Sequence, residues 1–257
     1  MITSSQNAKL KLVRSLMGRS KERHAAGAFV AEGVRLLEEA LSAGWPIRFV
    51  LHAEELSGRG LELLTKLEAR GCEVEQVSDV LLNSISETET SQGILAVLEY
   101  SPLKLPKPLD FVLIPDSIRD PGNLGALLRT AAAAGVQAVF LPPETTDAFA
   151  PKVLRAGMGA HFRLPIHSLS WEEIRSATTS LKVYLANMQG STCWQVDFSQ
   201  PLALIVGGEA EGATEEARSL AETSVSIPMP GKAESLNAGV AGAILMFEVV
   251  RQRKLGE

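Results

Sequence analysis

Apolar residues along this chain alternate between short uninterrupted runs and stretches with helical spacing. In the N-terminal part the runs Phe29-Val30-Ala31, Ile47–His52, Glu73–Val77 and Ile94–Tyr100 read as strands. Between them Val34–Ala43, the region Leu61–Arg70 and a short stretch from Asp79 read as helices. That alternation predicts a small, largely parallel α/β sheet. The segment 101–108, Ser-Pro-Leu-Lys-Leu-Pro-Lys-Pro, then carries three prolines in eight residues. Proline fixes φ and removes a donor, so this stretch is neither a helix interior nor a central strand. It is a linker between a domain at 1–100 and a second at 109–257.

Beyond the linker the alternation restarts more strongly. Phe111–Ile114, Ala138–Leu141, Val183–Ala186, Leu202–Val206 and Val225–Ile227 read as strands. Asn123–Ala134 (closed by Gly135), Pro151–Gly157, Trp171–Thr179 and a long last segment, about Ser235 to Lys254, read as helices. The fold class is α/β in both parts. No internal repeat is present.

Composition fits two globular domains: 257 residues, 46% hydrophobic and 21% charged. A disordered, collagen-like or coiled-coil chain is excluded. A net charge of −5 with a pI near 5.5 argues against a generally basic nucleic-acid coat, though not against a local basic surface. Cys72 and Cys193 form no Cys-x-x-Cys pair, which suits a reducing compartment. No apolar run approaches the ~18 residues of a membrane span, and the polar N-terminus lacks a signal-peptide core. The expectation is a cytoplasmic protein with no membrane partner.

Charge is unevenly spread. Up to residue 25 the chain holds Lys9, Lys11, Arg14, Arg19, Lys21 and Arg23 against the single acid Glu22. Leu10, Val13, Leu16 and Met17 recur near helical spacing, so the cations would stand on the wet face of a basic helix. Such a face attracts phosphates. Taken alone, the feature is better described as a solvated helix surface, which charge runs usually are.

Three loops in the second domain carry unusual chemistry. The first, Asp116-Ser117-Ile118-Arg119-Asp120-Pro121-Gly122-Asn123-Leu124-Gly125, joins a buried strand to a helix, the ligand end of an α/β sheet. Asn123 is a candidate helix cap. Arg129 lies six positions later among small and apolar residues, either snorkelling to water or held over a phosphate or oxyanion. The second loop, Gly207-Gly208-Glu209-Ala210-Glu211-Gly212, follows an apolar strand, and its glycines let a ligand approach the backbone. They miss the G-x-G-x-x-G spacing, and two acids would repel pyrophosphate, so an NAD site is disfavoured. The third loop runs from Ile227-Pro228-Met229-Pro230-Gly231 to Ser235-Leu236-Asn237, with Ser235 a plausible cap of the last helix. The four histidines lack metal-ligand spacing. A Gly-x-Ser-x-Gly elbow and a Walker loop are both missing.

Asn123-x-Gly125-x-x-x-Arg129, Gly207-Gly208-Glu209-x-x-Gly212 and Ile227-Pro228-Met229-x-Gly231 leading to Ser235-Leu236-Asn237 together resemble the three motifs of SpoU-type RNA methyltransferases, the TrmH branch of the knotted methyltransferase superfamily. Order and spacing are preserved across most of Phe111–Arg251. The stretch through Phe29-Val30-Ala31-Glu32-Gly33 is similar to that family's accessory RNA-binding domain.

The resemblance implies S-adenosylmethionine-dependent methylation of a ribose 2′-hydroxyl in RNA, with 23S ribosomal RNA ahead of transfer RNA and DNA not involved. It implies a deep trefoil knot near the C-terminus and a homodimer through the C-terminal domain, for which Leu245, Phe247 and Val250 offer an apolar surface. Gly207, Gly208, Ile227, Met229 and Leu236 match cofactor positions. Arg129, Asn123, Glu209, Ser235 and Asn237 match the catalytic centre, with Glu209 read mainly as a loop anchor. Lys9, Lys11, Arg14, Arg19, Lys21 and Arg23 are the RNA-binding candidates. A non-catalytic RNA-binding factor is the rival reading, yet it would be expected to have lost the polar motif residues.

Overall fold

The computed structural model describes residues 1–86, 91–208, 212–231 and 234–254. The chain forms two compact units, Met1–Ser101 with Phe149–Phe162, and Pro102–Ala148 with Arg163–Glu257.

In the first unit the basic segment is two helices rather than one. Helix α1 (Ala8–Gly18) starts where the Asn7 side chain accepts the Lys9 amide at 2.8 Å, and it stops at Arg19, whose φ of −118° is extended. Helix α2 (Ser20–Ala26) follows and closes on Gly27. Then come β1 (Ala28–Glu32), α3 (Val34–Ser42), β2 (Ile47–His52), α4 (Gly58–Ala69), β3 (Val74–Gln76), α5 (Asp79–Asn83) and β4 (Ile94–Glu99). The sheet order is β1-β4-β2-β3. Only β2 and β3 pair in parallel, whereas β4 is antiparallel to both β1 and β2. The expected largely parallel sheet is therefore mixed. Alternation set the direction of β1, β2 and β3, but β4 inserts between β1 and β2, and local pattern carries no signal for insertion.

The segment Phe149–Phe162, with α7 (Pro151–Gly157) and a single 3-10 turn, belongs to this unit through aromatic packing. Phe149 lies 4.8 Å from Phe29 and Phe162 lies 5.3 Å from Trp45, between ring centroids. Such pairs add to the burial of large apolar surfaces.

The second unit is a six-stranded parallel sheet in the order β10-β8-β9-β5-β6-β7. Its strands are β5 (Phe111–Asp116), β6 (Ala138–Leu141), β7 (Ile166–Ser168), β8 (Lys182–Thr192), β9 (Leu202–Gly207) and β10 (Thr223–Ser226). Helices α6 (Pro121–Ala134), α8 (Trp171–Ala177), α9 (Glu215–Leu220) and α10 (Ala238–Lys254) complete it. Every residue of β5 is buried, as expected of a central parallel strand covered on both faces. Helix α10 packs on α6 and β9 through Gly242, where an added Cβ would stand 2.3 Å from Leu127 Cδ2. Its far end is pinned by Gln252, which donates to the Val196 carbonyl at 2.9 Å and accepts the Phe198 amide at 2.9 Å. Among the described residues no helix is long and apolar enough to cross a membrane.

Candidate cofactor cavity and active site

Strands β5 and β9 pair in register from Phe111↔Leu202 to Asp116↔Gly207, so the first two loops leave the sheet side by side. In the first, Pro121 opens α6 and the Asp120 carboxylate accepts the Asn123 amide at 2.8 Å. Asp120, not Asn123, is the cap. Proline is pre-organised for the first helical position, which places the carboxylate three residues before Asn123 and in reach of its amide. Before the helix, Ser117 takes the left-handed region (φ 53°), with its amide held by Thr145 Oγ1 at 3.1 Å.

In the second loop Gly208 faces Gly212 across an isolated antiparallel bridge. A Cβ on Gly208 would stand 2.5 Å from the Ser117 carbonyl oxygen, and one on Gly207 would stand 2.8 Å from the Ala213 amide nitrogen. Both positions need glycine because backbone occupies the space a side chain would take. Glu209 lies outside the described residues.

The third loop ends at Asn237. Its Oδ1 accepts the Val240 amide at 3.2 Å, capping α10, while its Nδ2 donates to Asn123 Oδ1 at 2.8 Å. The last helix thus begins at Ala238 rather than near Ser235, and Asn237 rather than Ser235 caps it. One side-chain amide joins the starts of α6 and α10. Sequence spacing could not show this, because the partners are 114 positions apart.

The second and third loops, with the later part of β8, line a cavity of about 370 Å³ in the second unit. Gly207, Gly208, Ile227, Met229 and Leu236, the five cofactor candidates, all line it, as do Ser235 and Asn237. Asn123 reaches its rim through Asn237. Arg129 does not line it; this residue is exposed on α6, roughly 9 Å along the helix from Asn123. Among the described residues its guanidinium makes no hydrogen bond or ion pair. The sequence reading missed Asn187, Met188 and Arg218, which also line the cavity. The first two lie on β8, which runs on well past Ala186, and Arg218 lies on α9, whose sequence Glu-Glu-Ala-Arg-Ser-Leu has too few apolar residues to show a period.

Two other expectations meet the structure differently. Leu245 is 1% exposed and lines the cavity instead of an outer surface, whereas Phe247 and Val240 are each 48% exposed. Of the basic candidates, Lys9 bonds Glu73 and Glu75, and Arg23, 6% exposed, donates to the Leu16 carbonyl at 2.7 Å. Arg14 donates to the Ser5 carbonyl at 2.9 Å, and Lys11, Arg19 and Lys21 are exposed. Burial pushes both the Cys72 and Cys193 thiols up, which keeps them protonated.

The cavity's walls fit a nucleoside cofactor. Glycine backbone edges and Asn237 provide polar contacts, Val206, Ile227 and Leu245 an apolar bed, and Arg218 a cation. A doubly covered parallel sheet with such a cavity at the carboxyl ends of its central strands is a nucleotide-cofactor enzyme domain. The SpoU rRNA Methylase family matches residues 110–247, and the MRM3-like substrate binding domain matches residues 7–96. A 23S rRNA (guanosine(2553)-2′-O)-methyltransferase of Bacillus subtilis is 35% identical, over 96% of this chain and 98% of its own length. The 23S rRNA (uridine(2479)-2′-O)-methyltransferase of Streptomyces viridochromogenes is 31% identical, over 98% of this chain and 93% of its own. The crystal structure of the SpoU methyltransferase AviRb from that organism, in complex with AdoMet, superposes with a TM-score of 0.86 at 32% identity, covering 98% of this chain and 100% of the other. The chain belongs to the SpoU rRNA methylase family and is an S-adenosylmethionine-dependent RNA ribose 2′-O-methyltransferase.

Proposed function

We propose that this enzyme methylates a ribose 2′-hydroxyl of 23S ribosomal RNA in the cytoplasm, acting as a homodimer. The observation that carries the reading is the cavity lined by the second and third loops, with the first loop joined to its rim by the Asn237–Asn123 bond. Support for the target comes from the N-terminal substrate-binding domain and from relatives named for 23S rRNA. The Bacillus subtilis relative is named for a guanosine and the Streptomyces viridochromogenes one for a uridine, so the base is a property of each enzyme.

When bound, S-adenosylmethionine supplies an electrophilic methyl group on a sulfonium sulfur. Gly207 and Gly208 let backbone approach it, and Ile227, Met229 and Leu236 form the surrounding wall. Asn123, Ser235 and Asn237 orient the ribose, and Glu209 anchors the second loop. In-line geometry of oxygen, carbon and sulfur supplies much of the rate. Arg129 fixes a substrate phosphate with paired donors and favours negative charge on the ribose oxygen.

An Arg129 that stands off its own chain's cavity suits a site completed by a second copy. Val240 and Phe247, exposed on α10 with the half-buried Ile244 between them, offer that copy an apolar contact. Helix α10 returns from beyond the edge strand β10 to pack on α6 and β9, a path that fits the trefoil knot. The test maps 2′-O-methyl groups in RNA from cells with and without the protein. Loss of one 23S rRNA site is expected; loss from transfer RNA alone, or no loss, would refute the target.

A further inference from the structure

The cofactor-side loop Gly207–Thr214 is closed by a buried carboxylate that belongs to none of the three motif sets. Asp116, the last residue of β5, is 0% exposed. Its Oδ2 accepts the Thr214 amide at 2.7 Å and its Oδ1 accepts the Thr214 hydroxyl at 3.2 Å. The Ser117 hydroxyl adds a longer bond to Oδ1 at 3.4 Å. Thr214 in turn caps α9, its hydroxyl accepting the Ala217 amide at 3.2 Å. At the other end of the loop, Gly207 is the register partner of Asp116 itself. One residue therefore holds both ends of the loop, through its backbone at Gly207 and through its side chain at Thr214. Between those ends Gly207, Gly208, Gly212 and Ala213 all line the cavity.

Burial pushes this carboxyl up, and the Thr214 bonds act against that rise. An acid kept in a dry position is costly unless its bonds are used. Here every bond goes to the loop end or to Ser117, whose carbonyl is the surface against which Gly208 rests.

We propose that Asp116 is a positioning residue for the methyl donor: by tying Thr214 to the end of β5 it sets the spacing of the Gly207–Ala213 wall, and so the affinity for S-adenosylmethionine. It touches neither RNA nor the reacting atoms. The inference rests on the reading that this cavity takes S-adenosylmethionine.

Titration calorimetry of the full-length protein with S-adenosylhomocysteine tests it, beside steady-state methylation of RNA. Asp116→Asn keeps the shape but leaves one acceptor oxygen where the carboxylate offers one each to the Thr214 amide and hydroxyl. It is expected to weaken binding roughly tenfold or more, as loss of a buried acceptor does. The KM for S-adenosylmethionine should rise in step, with kcat at saturation and the KM for RNA within twofold of wild type. Thr214→Val, which keeps the amide and loses the hydroxyl, should cost roughly threefold, and Thr214→Ser should restore wild-type affinity. The Asp116→Asn/Thr214→Val pair should lose less than the product of the single effects.

Wild-type affinity in Asp116→Asn would overturn the proposal. So would a fall in kcat with cofactor affinity intact. Should Asp116→Asn fail to fold, the Thr214 variants decide: equal affinity in Thr214→Val and wild type overturns it. A wild-type protein that binds no S-adenosylhomocysteine sinks the cofactor reading instead.

Discussion

Lys9 on α1 and Arg129 on α6 are both cations on helices, and the two units use them in opposite ways. Lys9 reaches Glu73 and Glu75 and lies 5.1 Å above the Phe49 ring. Burial works against its charge, but the bonds to the two glutamates prevail and raise its pKa. Arg129 is exposed, with no hydrogen bond or ion pair among the described residues. A cation enclosed by acids has its field cancelled locally and contributes to the fold. One left uncommitted keeps its field for an incoming anion. The basic segment and the cavity region differ in the same sense: the first engages several of its charges internally, the second keeps its polar groups at an open edge.

The largest effect that would sharpen this contrast is Arg129→Ala. Single-turnover methylation at saturating S-adenosylmethionine should fall by about 10²–10³, as for loss of one electrostatic donor, with S-adenosylhomocysteine affinity unchanged. Arg129→Lys keeps charge without the planar fork and should remain severely impaired. Transfer at the wild-type rate in Arg129→Ala would make this arginine a surface residue.

Next comes Gly208→Ala. Its Cβ would stand 2.5 Å from a backbone oxygen that has no freedom to rotate away. Calorimetry should show a roughly 5- to 100-fold loss of S-adenosylhomocysteine affinity, because overpacking costs about 1–3 kcal/mol. Retained affinity would mean that the loop wall yields.

Within the basic segment, replacing Lys11, Arg19 and Lys21 with Glu should weaken RNA binding and flatten its salt dependence, by roughly one unit of slope for each phosphate no longer neutralised. Lys9→Met should lower thermal stability and leave RNA affinity near wild type. The reverse outcome, RNA affinity abolished by Lys9→Met and kept in the triple variant, would break the comparison.

The smallest effect concerns Glu248, 4% exposed on α10. Bonds from Arg251 hold its carboxyl below the usual range, burial opposes them, and Gln252 assists. A depressed carboxylate contributes stability above its unfolded value near 4.5 and loses it as pH falls through the folded one. Glu248→Gln should cost about 0.5–1 kcal/mol at pH 7 and less at low pH, read by urea unfolding at both. An equal cost at both pH values would assign the effect to packing alone.

Much of the cavity was legible because its positions answer to local constraints. Gly207 and Gly208 stand where backbone crowds the Cβ position, and Pro121 stands where a helix begins. The caps were misassigned by a few residues for a physical reason. Asp120, Asn123, Ser235 and Asn237 are all competent acceptors, and only the path of the chain decides which one meets an orphan amide. Helix α9 and strand β7 were not legible because Ala217 and Leu220 in the one and Ile166 in the other are their only apolar residues, too few to set a period.

Local sequence by itself determined the α/β class, the buried parallel strands, and which loops are rich in small and polar residues, since these follow from apolar period and backbone sterics. Tertiary structure alone decided the rest. It inserted β4 antiparallel within the first sheet, gave Phe149–Phe162 to the first unit, and turned Lys9 and Arg23 inward. It also joined Asn123 to Asn237 and Asp116 to Thr214. Each of these is a contact between residues distant in sequence. A side chain's partner is set by which surfaces bury together, and pattern along one chain does not encode that choice locally.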